Sequence, residues 1–111
     1  MTQYLEDIEQ WEEFKKKANG QEIIVLKFST TCPISRGVEQ SFDRWITKHE
    51  DAVTVAKVDV VRSRPLSQHL AKEFKVQHES PQVLWLDAEG KLKWSGSHHG
   101  ISPQTLDAQI K

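Results

Sequence analysis

Three short apolar segments, set apart by amphipathic stretches, constrain this chain more than any other feature. Ile23-Ile24-Val25-Leu26-Lys27-Phe28 is a compact run rich in β-branched residues, and Val83-Leu84-Trp85-Leu86 is a second. The segment from Val53 to Val60 alternates apolar and polar positions. Runs of this length and composition predict strands. The stretches between them carry apolar residues at helical spacing. Asp7 with Gln10 three positions on resembles a capping box, Ile8, Trp11 and Phe14 follow at helical intervals, and Asn19-Gly20 is a stop. A second helix is predicted from Pro33 to about Lys48, with Val38, Phe42, Trp45 and Ile46 as its stripe. Arg64-Pro65 opens a third, carrying Leu66, Leu70 and Phe74. Asp87 to Gly90 reads as a tight turn from which Lys91 to Ser95 returns antiparallel. Ser102-Pro103 opens a last helix with Leu106 and Ile110, and Tyr4-Leu5 is a candidate edge strand.

Strands alternating with helices require right-handed crossovers and parallel neighbours. The closing hairpin makes the sheet mixed. The expected fold is therefore an α/β three-layer sandwich, a mixed central sheet of four to five strands with flanking helices. With 111 residues, the chain 1–111 is long enough for one such domain.

Charge and cysteine content narrow the function. A net charge of −1 supplies no basic field for nucleic acid. No apolar run approaches the roughly 18 residues of a membrane span. The start Met1-Thr2-Gln3-Tyr4-Leu5-Glu6-Asp7 lacks the basic and apolar regions of a secretory signal, so a cytoplasmic setting is expected. There is one cysteine, which excludes both an internal disulfide and a self-contained dithiol cycle.

That cysteine, Cys32, falls between a predicted central strand and the start of a predicted helix. Sites in open α/β sheets form beyond the carboxyl ends of strands. A helix N-terminus offers unpaired N–H groups and the positive end of the dipole, both of which stabilise a thiolate. The neighbours Thr30, Thr31, Ser35 and Arg36 are polar or basic, unlike a core. The five histidines, His49, His69, His78, His98 and His99, form no metal-ligand spacing with Cys32, and no metal is expected. Lys27 on a central strand either snorkels or pairs with Asp59, and the four tryptophans read as packing.

Thr31-Cys32-Pro33-Ile34-Ser35 resembles the active-site turn of the thioredoxin superfamily, with serine where a resolving cysteine would stand. Glu79-Ser80-Pro81-Gln82-Val83 resembles its cis-proline turn, and Ser95-Gly96-Ser97-His98 its glycine turn before the last helix. The resemblance spans the whole chain and is most similar to the monothiol bacilliredoxins of the YtxJ type. It departs from thioredoxins at Leu26, where they carry a buried carboxylate, and at Thr31, where they carry tryptophan.

The resemblance implies a monothiol thiol-disulfide oxidoreductase that removes bacillithiol from proteins. Cys32 would be the nucleophile, with Pro33 and Ser35 completing the catalytic turn and Ser35 able to hydrogen-bond the thiolate. Substrate would lie on Thr31, Arg36, Ser80, Pro81, Gly96, Ser97 and His98, a lining without an acidic side chain, although Glu79 is close in sequence. No tightly bound cofactor is implied. Bacillithiol would be co-substrate and S-bacillithiolated proteins the partners, handled by a monomer in a stress response. Two other readings stay open: an iron–sulfur scaffold like the monothiol glutaredoxins, and a thioredoxin-fold adaptor or chaperone without catalysis.

Overall fold

Ile23–Phe28 is apolar on both faces except at Lys27, and such a strand must be covered from both sides. In the computed structural model, which describes residues 2–49 and 53–110, it lies at the centre of a five-stranded sheet. The strands are β1 (Thr2–Tyr4), β2 (Ile23–Phe28), β3 (Thr54–Asp59), β4 (Gln82–Leu86) and β5 (Leu92–Ser97). Their order is β1-β3-β2-β4-β5, with the first three mutually parallel and the last two antiparallel to their neighbours.

Helices α1 (Ile8–Lys17) and α3 (Arg64–Glu73) cover one face, and α2 (Pro33–Thr47) and α4 (Pro103–Ile110) cover the other. The period-two alternation of the strands feeds the two cores separately. Val25, Ala56, Val58, Leu84 and Leu86 pack with Trp11, Phe14, Leu66 and Leu70. Ile24, Leu26, Val55, Val83 and Trp85 pack with Phe42, Trp45, Ile46 and Leu106. Each such fully buried large side chain contributes roughly 1.5–3 kcal/mol.

Asp7 caps α1 by accepting the Gln10 N–H at 2.8 Å. The reciprocal bond is displaced by one residue, because Gln10 Oε1 accepts from Glu6 N–H at 2.8 Å instead of from Asp7. Two expectations at the N-terminus need correction. The edge strand is Thr2–Tyr4 and not Tyr4-Leu5; Leu5 is buried in the α1 core and takes the place foreseen for Ile8, which is exposed. At the other end, Leu106 alone anchors α4, and Ile110 faces outward. The tryptophans do pack, and three place their indole N–H on carboxylates: Trp11 on Glu73, Trp45 on Asp107 and Trp85 on Glu22. The return of the hairpin is held by Asp87, whose Oδ1 accepts from Glu89 and Lys91 N–H.

This arrangement sends the chain from β2 into α2 on one face and from β3 into α3 on the other. The carboxyl ends of β2 and β3 therefore mark the switch point of the parallel part of the sheet.

Candidate active site

Cys32 stands at the N-cap of α2, with Pro33 at the first helical position. Its backbone is extended, and its carbonyl accepts the Arg36 N–H at 3.2 Å, the first bond of the helix. The thiol is half-exposed and free. Pro33 has no N–H to leave unsatisfied at this position and its fixed φ suits a helix start. Ile34, directly after it, is 55% exposed, an apolar side chain beside the thiol turn that the sequence did not single out.

The preceding turn is tied together by hydroxyls. Ser35 is fully buried and its Oγ accepts the Ser29 N–H at 2.9 Å. Ser29 Oγ in turn meets Thr31 Oγ1 at 3.0 Å and accepts the Thr31 N–H at 3.3 Å. Among the described residues no hydrogen bond joins Ser35 to Cys32. Ser35 closes the loop from Ser29 back onto the helix, where a thiolate partner was expected. Thr31 is exposed on this turn, and Arg36 is exposed one turn into α2.

The β4 side of the thiol comes from the antiparallel register. Lys27 opposite Gln82 sets Pro81 beside the carboxyl end of β2. The Ser80–Pro81 peptide is cis and Pro81 is buried. Ser80 lies outside the ladder, its backbone N–H and C=O make no hydrogen bond among the described residues, and its buried Oγ also lacks a partner. Gln82 pairs with Ser97 and Val83 with Gly96, so the β5 end adjoins the proline loop. His98 N–H donates to the Pro81 carbonyl at 3.0 Å, and α2 packs against the 3-10 turn His98–Gly100. Thus Ser80, Pro81, Ser97 and His98 form one constellation. Gly96 belongs to β5, and its lack of a Cβ is needed by packing: a Cβ there would lie 2.5 Å from the Trp94 indole.

The expected lining without an acid is corrected. Glu79 reaches into this constellation, where its Oε2 accepts the Ser97 hydroxyl at 2.8 Å and its Oε1 lies 3.9 Å from His98 Nδ1. The Glu79 and Ser97 side chains meet across 18 residues of sequence, a long-range contact that spacing alone does not reveal.

Lys27 neither snorkels nor pairs with Asp59. It is fully buried, and its Nζ donates to the Ser67 carbonyl at 3.3 Å. Burial pushes its pKa down to about 8. Asp59 is occupied elsewhere, accepting from Val61 N–H at 2.9 Å and Arg62 N–H at 3.3 Å, with Thr30 Oγ1 at 3.4 Å. The other buried lysine among the described residues, Lys57, lies on the opposite face of the sheet and bonds Glu39 and Asp43, both at 2.7 Å. Burial opposes its charge, but these two carboxylates hold its pKa above the ordinary value. His78 is lowered, by burial first and then by Lys27 and Arg64. Sequence spacing also missed one group of metal-ligand type, Glu12, His69 and Glu73 between α1 and α3. Its charge is already met by Lys15, whose Nζ lies 3.0 Å from Glu12 and 2.8 Å from Glu73.

A half-exposed thiol at the start of α2, on this sheet order and next to a cis-proline loop, defines a thioredoxin-fold protein with a one-sulfur redox site. Solved structures agree. One described provisionally as an oxidoreductase with a thioredoxin fold superposes with a TM-score of 0.87 at 28% identity, covering 99% of this chain and 94% of that one. Fasciola hepatica thioredoxin gives 0.76 at 21% identity, with 97% and 95% covered. Mitochondrial thioredoxin 3 of Saccharomyces cerevisiae gives 0.71 at 19%, with 98% and 92% covered, and these last two speak for the fold alone. More specifically, residues 3–106 match the family model of the monothiol bacilliredoxin BrxC, and the chain belongs to the monothiol bacilliredoxin family.

Proposed function

We propose that this chain removes bacillithiol from protein mixed disulfides through Cys32, in the cytoplasm and as a monomer. The observation that carries the reading is the pairing of a single, half-exposed sulfur at a helix N-terminus with a serine, Ser35, buried where a second sulfur would be needed. Such a site can accept a small thiol but cannot expel it by itself.

In the first step the Cys32 thiolate attacks the small thiol's sulfur in the protein mixed disulfide. A Cys32–S bond forms, the original S–S bond breaks, and the protein thiol leaves as thiolate and takes a proton from solvent. In the second step another molecule of small thiol, as thiolate, attacks the sulfur now bound to Cys32. The two small thiols leave as a disulfide, and Cys32 departs with the electron pair. Free N–H groups of the first turn of α2 favour the departing thiolate. The unpaired backbone of Ser80 supports docking of the small thiol's cysteinyl portion as an added strand.

His98 and Arg36 supply donors for the carboxylates and hydroxyls of bacillithiol, while Glu79, which accepts the Ser97 hydroxyl, sets a carboxylate beside them. The test is intact mass on both partners. A target carrying bacillithiol is mixed with the chain in the absence of other thiols. The target is expected to lose one bacillithiol while Cys32 gains it. An unchanged target mass would overturn the reading.

A further inference from the structure

A cavity of about 430 Å³ opens at the switch point, where the ends of β2 and β3 diverge toward α2 and α3. That volume lies in the range of small-molecule sites, and this is the place in an open α/β sheet where ligands bind. Thr30, two residues before Cys32, forms part of its wall, so the cavity borders the thiol turn on the side away from Pro81. Tyr4 and Phe28 give it apolar surface.

The charges on its wall have two signs. Glu39 is engaged by Lys57 at 2.7 Å. Glu6, Asp59 and Arg62 also line the cavity, and none of the three forms an ion pair among the described residues. The Asp59 carboxylate is held in place by the N–H groups of Val61 and Arg62. Arg62 itself is exposed at the edge. A wall with one held carboxylate, Asp59, a second and exposed one, Glu6, and a nearby guanidinium complements a small molecule that carries both an ammonium and a carboxylate.

The two-step exchange needs such a molecule. While the first small thiol occupies the constellation around Pro81, the second must approach from elsewhere. We propose that the switch-point cavity docks the second low-molecular-weight thiol, setting its ammonium against Glu6 and Asp59 and its carboxylate against Arg62. This rests on the exchange reading above. In the step it serves, the docked thiol gives its proton to solvent, its sulfur bonds to the small-thiol sulfur on Cys32, and the Cys32–S bond breaks to release the thiolate.

The chain is first loaded on Cys32 with oxidised bacillithiol. Release is then followed by intact mass against increasing L-cysteine, cysteamine or 3-mercaptopropionate. For the wild-type chain the rate should saturate with L-cysteine. Arg62→Ala should raise the half-saturating concentration about tenfold for L-cysteine and 3-mercaptopropionate, the loss of one charge-assisted contact. It should leave cysteamine, which has no carboxylate, unaffected, and the limiting rate unchanged. Glu6→Gln should weaken cysteamine and L-cysteine but not 3-mercaptopropionate. Equal losses for all three thiols, an effect on the limiting rate alone, or no change in either variant would overturn the proposal. Failure to load Cys32 at all would overturn the exchange reading with it, whereas normal loading with unaltered release in Arg62→Ala would remove the docking site alone.

Discussion

Two lysines on adjacent central strands sit beneath the two sides of the thiol turn, and the protein treats them in opposite ways. Lys57 lies under the switch-point side with two carboxylates of α2 at 2.7 Å, and its charge is favoured despite burial. Lys27 lies under the proline loop with one carbonyl at 3.3 Å, and burial lowers its pKa to about 8. Both side chains are almost completely removed from solvent. Burial thus does not decide whether a lysine is a liability. The partners delivered by the covering helix decide it. On the α2 face, Glu39 and Asp43 are one helical turn apart and converge on one ammonium. On the α3 face, Ser67 offers only its carbonyl to Lys27, and nearby His78 has its pKa lowered by burial first and then by Lys27 and Arg64.

The comparison predicts opposite stability effects, and opposite pH trends, for the same substitution. Lys27→Met should stabilise the fold, by up to about 3 kcal/mol below pH 8, the free energy equivalent of lowering a lysine from 10.5 to about 8. Below about 8 the folded and unfolded chains both hold the proton and the full burial cost is present. Between about 8 and 10.5 the unfolded chain holds more protons than the folded one, so wild-type stability rises with pH. The gain from Lys27→Met should therefore shrink across that window in denaturant titrations. A gain that grows with pH, or a loss at pH 7, would break the contrast.

Lys57→Met should destabilise by roughly 1–3 kcal/mol, less than a fully buried pair because solvent reaches both carboxylates, Asp43 especially. Here the folded-state pKa is raised, so the contribution of Lys57 is fully present below its ordinary 10.5 and is lost only as pH climbs through the raised value. The wild-type advantage should stay level through neutral pH in the same titrations. If Lys57→Met were neutral, the carboxylates would not be what separates the two lysines.

A smaller effect concerns the surface above Lys27. Glu79→Gln removes the acid beside His98 and Ser97. Release of bacillithiol from a target should then gain over release of glutathione by roughly threefold to tenfold, a change of about 1 kcal/mol. Parallel de-thiolation rates on one target measure this, and a preference that falls would mean Glu79 positions the loop and does not temper its charge.

What could be read from the sequence follows the same division between local and distant causes. The β2 run, the N-cap Cys32 with Pro33, the hairpin held by Asp87, and the order of elements are set by residues close in the chain, and the structure has them as read. The partners of Lys27 and Lys57 were not legible, because Ser67 lies 40 residues beyond the one and Glu39 lies 18 residues before the other. Glu79 is a neighbour of Ser80 in sequence, but nothing local marks it as a partner of Ser97, 18 residues away. The place of Ser35 on α2 follows from local sequence, yet the direction of its hydroxyl depends on the turn back to Ser29. The switch-point cavity has no local motif at all, since β1, β2, α2 and the end of β3 each supply part of its wall.

The central claim is that Cys32 takes the small thiol from a protein and keeps it until a second thiol arrives. Intact mass of the chain, read after mixing with a bacillithiolated target and no free thiol, tests this most directly. The account predicts one bacillithiol on Cys32, stable until thiol is added and absent in Cys32→Ser, with an equal amount of free thiol on the target. A target that is released while Cys32 stays unmodified, or that is released equally by Cys32→Ser, would contradict it.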